Sequence, residues 1–120
     1  MKVAVTSVGK TMDSQVDPRF GRAAHFVVVD TENMGFEALE NGNGDASGGA
    51  GINAAKLVID AGAQAVLTGN CGPNAERTLR AGNVRLYTEL NGTVAEAIAR
   101  LKAGELTEAT GPNVQSHSGM

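Results

Sequence analysis

Val66-Leu67-Thr68-Gly69-Asn70-Cys71-Gly72-Pro73-Asn74-Ala75 reads as a short buried strand that bends sharply into a helix. Ala65 to Thr68 form an apolar, partly β-branched run, and Gly69 and Gly72 let the backbone turn tightly after it. Pro73 falls where proline is tolerated, in a first helical turn, because its missing N–H would have no intrahelical partner there. The helix therefore starts with bare amides. Aligned peptide dipoles place roughly half a positive charge on such an end, and a glycine-lined approach lets an anion come close. The same residues also suffice to build a tight strand-to-helix turn with no ligand, so the rest of the chain must decide.

The 120 residues are enough for one domain with a single core and carry a net charge of −3. Apolar residues make up 42% of the chain, yet there is no Trp, one Tyr and only three Phe. Such a chain suits tightly packed α/β layers and has few platforms on which bases stack. The negative charge argues against nucleic acid and against anionic membrane surfaces, so an anion site must be a local concentration of basic groups. One cysteine cannot form an internal disulfide, as suits a reducing compartment. Met1-Lys2-Val3-Ala4-Val5 enters a strand pattern with no signal-peptide character, and no apolar run reaches the roughly 18 residues of a membrane span. A cytoplasmic monomer is expected.

Lys2 to Ser7 has the apolar character of a central strand buried on both faces. From Val8 to Ala24 periodicity is lost, and a loop of that length in a small domain is usually functional. His25 to Asp30 is the next strand, and Thr31-Glu32-Asn33 turns into a third, Met34 to Glu40, which makes an antiparallel hairpin. Asn41 to Gly51 is glycine-rich and leads into a helix with Ala54, Leu57, Val58 and Ala61 on one face, ended by Gly62. The Val66 strand and the Pro73 helix follow, the latter stopping at Gly82. Val84 to Thr88 is a fifth strand. Thr93 and Glu96 stand in capping-box spacing before a last helix that buries Val94, Ala97, Ile98 and Leu101. Residues 1–105 form the domain, and 106–120 read as a loose polar tail.

The order β-β-β-α-β-α-β-α implies a three-layer α/β/α sandwich with a mixed five-stranded sheet. Following strand directions, the 8–24 loop, the glycine-rich loop and the Gly69–Asn74 turn all emerge at one edge, at the carboxyl ends of the parallel strands. Gathered there are Lys10, Arg19 and Arg22, the amides around Ser47, Gly48 and Gly49, and the helix start at Asn70, Cys71, Gly72 and Asn74. Val8, Met12, Val16, Pro18 and Phe20 add apolar surface. A large, weakly hydrated anion suits that mixture better than bare phosphate.

The first strand, Asp17-Pro18-Arg19-Phe20-Gly21-Arg22-Ala23, the glycines before Ile52-Asn53-Ala54-Ala55, and Thr68 to Ala75 together resemble the dinitrogenase iron-molybdenum cofactor family. That family includes NifX, NafY and the C-terminal domain of NifB. The resemblance implies a ribonuclease H-like fold and noncatalytic carriage, storage or assembly of an anionic metal-sulfur cluster, either iron-molybdenum cofactor-related or, as in compact stand-alone members, a molybdenum-copper sulfide cluster. It would set Arg19, Phe20, Arg22 and the Asn70–Asn74 turn against the cluster, and it implies a protein partner such as a cofactor-assembly protein or an ATPase.

Cys71 has two readings: a small turn residue, or a thiolate ligand for copper or iron if the helix start lowers its pKa. His25 reads as structural, and His117 reaches a metal only if the tail folds back. Neither makes a zinc-type cluster with Cys71 by spacing. Gly9-Lys10-Thr11 imitates the end of a phosphate-binding P-loop, but the motif's first glycine would be Ala4. A ribonuclease H-like nuclease needs carboxylates on the first strand, which has none. No nucleophile-elbow motif supports a hydrolase. The competing readings are a phosphate- or nucleotide-sensing regulatory module, which would use the same amides and arginines, and an interaction adaptor with no ligand.

Overall fold

The computed structural model describes residues 1–42 and 49–114. Its elements are β1 (Lys2–Ser7), β2 (His25–Asp30), β3 (Phe36–Glu40), α1 (Ala50–Asp60), β4 (Ala65–Leu67), α2 (Pro73–Ala81), β5 (Arg85–Tyr87) and α3 (Val94–Lys102). The strands form one mixed sheet in the order β3-β2-β1-β4-β5. β1 lies at its centre, antiparallel to β2 and parallel to β4. Its apolar run is explained by that position, since both faces and both edges are covered.

Alternation along the strands separates two cores. Ala4, Phe26, Val28, Val66 and Leu86 pack with Ala54, Ala55 and Val58 of α1 and Ala75 and Leu79 of α2. Val3, Val5, Val27, Val29, Ala65 and Leu67 face the other way, onto Val94, Ala97 and Ile98 of α3. Helices therefore cover both sheet faces, and three layers result. The β2–β3 hairpin has the expected antiparallel register, from His25 opposite Glu40 to Val29 opposite Phe36. β3 starts two residues later than its sequence pattern suggests, because Met34 takes a left-handed φ of 62° in the turn. At α3 the Thr93–Glu96 capping box forms as expected.

The expectation of a loose tail from residue 106 fails for the part described, up to Val114. Leu106 packs on the α3-side core and Ala109 on the opposite one. Between the two the segment passes the outer edge of β5, where the Ala109 N–H donates to the Leu86 carbonyl at 2.8 Å. An edge strand needs a partner for its outward backbone groups, and this segment supplies one.

Candidate functional site

β1 and β4 run in parallel, so the loops leaving their carboxyl ends share a rim. Thr6 and Thr68, one on each strand, are buried and joined by a 2.9 Å hydroxyl hydrogen bond. The Thr6 hydroxyl also donates to the Asp17 carbonyl at 2.7 Å. Asp17 is itself buried: Oδ1 accepts the Arg19 N–H at 3.0 Å and Oδ2 the Ala24 N–H at 3.4 Å. This carboxylate organises the loop by holding its backbone N–H groups. Asn41 ties down the same loop, its Nδ2 donating to the carbonyls of Gly21 at 3.0 Å and Ala23 at 2.8 Å.

The loop then locks onto the turn after β4. Asn70 N–H donates to the Pro18 carbonyl at 2.7 Å, and Phe20 N–H to the Asn70 carbonyl at 3.1 Å. Only glycine fits at 69, because a Cβ there would stand 2.7 Å from Pro18 Cα. Close approach recurs one layer out: a Cβ on Gly21 would be 3.0 Å from Gly51 in α1, and one on Gly51 would be 3.1 Å from Ala75 in α2. The 17–24 loop, the start of α1 and the start of α2 thus meet at one place.

Two helices begin there, and neither has a side-chain cap: Gly49 precedes α1 with a φ of 74°, and Gly72 precedes α2. Among the described residues, no acceptor is found for the N–H groups of Gly72, Asn74 and Ala75. Such groups need water or a ligand. Arg19 forms an isolated parallel bridge with Asn70, and its side chain is half exposed with Nε 3.5 Å from Asp17 Oδ1. Arg22, on the same loop, is half-buried.

Other expected site residues are placed elsewhere. Phe20 is fully buried, 5.5 Å from Phe26 between ring centroids, and belongs to the core. Lys10 is exposed in the tip of a small loop closed by the Val8 N–H to Gln15 carbonyl hydrogen bond, on the side that covers α3. Ser47 and Gly48 lie outside the described residues, as does His117. His25 opens β2 half-buried, its buried Nδ1 without a hydrogen-bond partner among the described residues.

Cys71 corrects the thiolate reading. Its side chain is fully buried in the α1/α2 core and points its Sγ at the Gly72 carbonyl, 3.7 Å away. Burial, with the Glu76 carboxylate adding to it, pushes the thiol up to about 12 from 9.0. Desolvation is the larger of the two causes. Among the described residues no group of three or more His, Cys, Asp or Glu side chains is arranged to hold a metal ion. The rim offers N–H donors and guanidinium in place of metal ligands. A noncovalently held anionic cluster fits this donor set, whereas direct coordination by Cys71 does not.

Sequence reasoning missed Asn113. Its Oδ1 accepts the Cys71 N–H at 2.7 Å, and its Nδ2 donates to the Gly69 carbonyl at 3.1 Å. Pairing over 42 residues leaves no local signal.

The five-stranded α/β sheet thus gathers at one rim two helix starts without side-chain caps and the loop that carries Arg19 and Arg22. Residues 1–104 match the family model described as "dinitrogenase iron-molybdenum cofactor", and the chain belongs to that family. It is similar to the apo form of the orange protein from Desulfovibrio gigas, at 44% identity and a TM-score of 0.93, covering 94% of this chain and 96% of that one. A NifB-like protein from Thermotoga is 38% identical with a TM-score of 0.78, over 89% and 91% of the two chains. An uncharacterised Methanocaldococcus jannaschii protein is 26% identical over 110 residues, 88% of this chain and 93% of its own length.

Proposed function

We propose that this chain binds an anionic metal-sulfur cluster noncovalently at the rim and carries it, or serves its assembly, without catalysing a reaction. The observation that carries the reading is the set of amides at Gly72, Asn74 and Ala75 with no acceptor among the described residues, in a turn that the Pro18 and Phe20 hydrogen bonds to Asn70 tie to the Arg19 loop. Family membership supports a cluster related to the iron-molybdenum cofactor, and likeness to the orange protein supports the molybdenum-copper sulfide form that the sequence resemblance implies. When bound, the cluster supplies its own redox and optical properties. The protein's residues supply charge and exclude solvent. Amides at the starts of α1 and α2 would face its sulfurs, and Arg19 and Arg22 would balance its charge, each charge-assisted contact contributing about 1.5–3 kcal/mol.

Full-length protein mixed with tetrathiomolybdate and copper, desalted and analysed for metals, is expected to retain both elements and to absorb visible light. The R19A/R22A double variant should bind on the order of a hundredfold more weakly, from two lost charge-assisted contacts. Equal uptake by the variant, or uptake of phosphate alone with no colour, would overturn the reading.

A further inference from the structure

After α3 the chain doubles back as a strap. The Arg80 guanidinium donates to the Thr110 carbonyl at 3.1 Å, and Ala109 is fastened to β5 as described. Beyond Ala109 the strap climbs to the start of α2, where Asn113 closes on the turn. Its backbone N–H donates to the Cys71 carbonyl at 3.1 Å, and Nδ2 donates to the Asn70 side-chain oxygen at 3.2 Å as well as to Gly69. The carboxamide oxygen takes the Cys71 N–H, the shortest contact of the set at 2.7 Å.

That oxygen stands where an acceptor on a bound guest would stand. Cys71 precedes the Gly72, Asn74 and Ala75 amides, and among the described residues Asn113 satisfies the first of the series while the others have no acceptor. Asn113 itself is exposed, so polar contacts in reach of water hold the clasp, and such contacts are individually weak. A multiply charged anion is the stronger acceptor.

From this juxtaposition we infer that the strap around Asn113 is a gate on the rim: its carboxamide is an internal surrogate for the guest, and full occupancy requires its release from Cys71. The inference rests on the proposed anion site and concerns how that site is regulated. A gate of this kind lowers apparent affinity by the fraction of time it is open. It also requires a side chain that accepts and donates at once, as asparagine does.

Tetrathiomolybdate is the probe, titrated into the full chain and followed by amide NMR and by binding rates. In the unmodified protein the Asn113 side-chain amide signals should move on saturation, together with the backbone signals of residues 69–75. The N113A variant should bind on the order of tenfold more tightly, chiefly through faster association. If the unmodified protein binds the probe while the Asn113 signals stay in place, or N113A binds no faster and no tighter, the gate is overturned and the carrier reading stands. Binding by neither protein overturns both.

Discussion

The starts of α2 and α3 invite comparison, because both helices are nine residues long and both begin at the same rim. At α3 every early amide has an acceptor. Val94 and Ala95 donate to the Ser14 and Met12 carbonyls, each at 2.9 Å, and Glu96 donates to the Thr93 hydroxyl at 3.1 Å. Glu96 Oε1 in turn accepts the Thr93 N–H at 2.8 Å. At α2 the corresponding positions hold Pro73, which has no N–H, and Asn74 and Ala75, whose amides have no acceptor among the described residues. A helix start closed by its own neighbours serves stability. One left open among the described residues is where the proposed guest would bind.

The largest effect that would test this contrast concerns Cys71. If the open start dominated its environment, the thiol would react readily; its pKa of about 12, against 9.0, instead lowers the thiolate fraction near neutral pH by about a thousandfold. Alkylation of native protein at pH 8 should therefore be slower than in denaturant by two to three orders of magnitude, roughly. The linked stability is fully present below pH 9.0 and is lost as pH rises towards about 12, because the unfolded chain sheds the proton first. Rapid native alkylation would show that the turn exposes the sulfur.

Replacing Gly69 by alanine comes next. The new methyl meets Pro18 backbone 2.7 Å away, and overpacking against main chain should cost about 2–3 kcal/mol in urea unfolding and weaken probe binding. Removing the α3 cap by Thr93→Ala should cost about 1 kcal/mol and leave binding unchanged. Hydrogen bonds from Thr93 hold the Glu96 carboxyl below its ordinary 4.5. The contribution of this carboxylate is thus present above pH 4.5 and fades as pH falls through the lowered value, a loss that Glu96→Ala should lack and that T93A, which keeps the backbone N–H donated to Glu96, should retain in part. Smallest is Asn74→Asp: a carboxylate in the open first turn should stabilise the free protein by about 0.3–1 kcal/mol while weakening anion uptake. Stabilisation with uptake unchanged would place the guest elsewhere.

What was legible in the sequence follows the same division. The central strand Lys2–Ser7, the β2–β3 hairpin and the Thr93–Glu96 box are written in nearest-neighbour chemistry: apolar run, short turn, three-residue spacing. The convergence at the rim also follows, since strand direction alone carries Arg19 to Asn70. The burial of Cys71 and Phe20 was not legible, because tertiary packing decides whether a turn residue faces core or solvent, and both belong to one buried cluster with Val28 and Leu79. Asn113 had no local pattern to betray it, because its partners lie about forty positions away in Gly69, Asn70 and Cys71.

The route of the strap has a practical corollary for anyone labelling this protein. Met1 sits beside Thr31 at the end of the sheet remote from the rim, whereas Asn113 is hydrogen-bonded to the α2 turn. A dye or fusion placed ahead of Met1 reports from a distance. One attached at the exposed Pro112, next to Asn113, would tug on the very latch whose opening it was meant to watch.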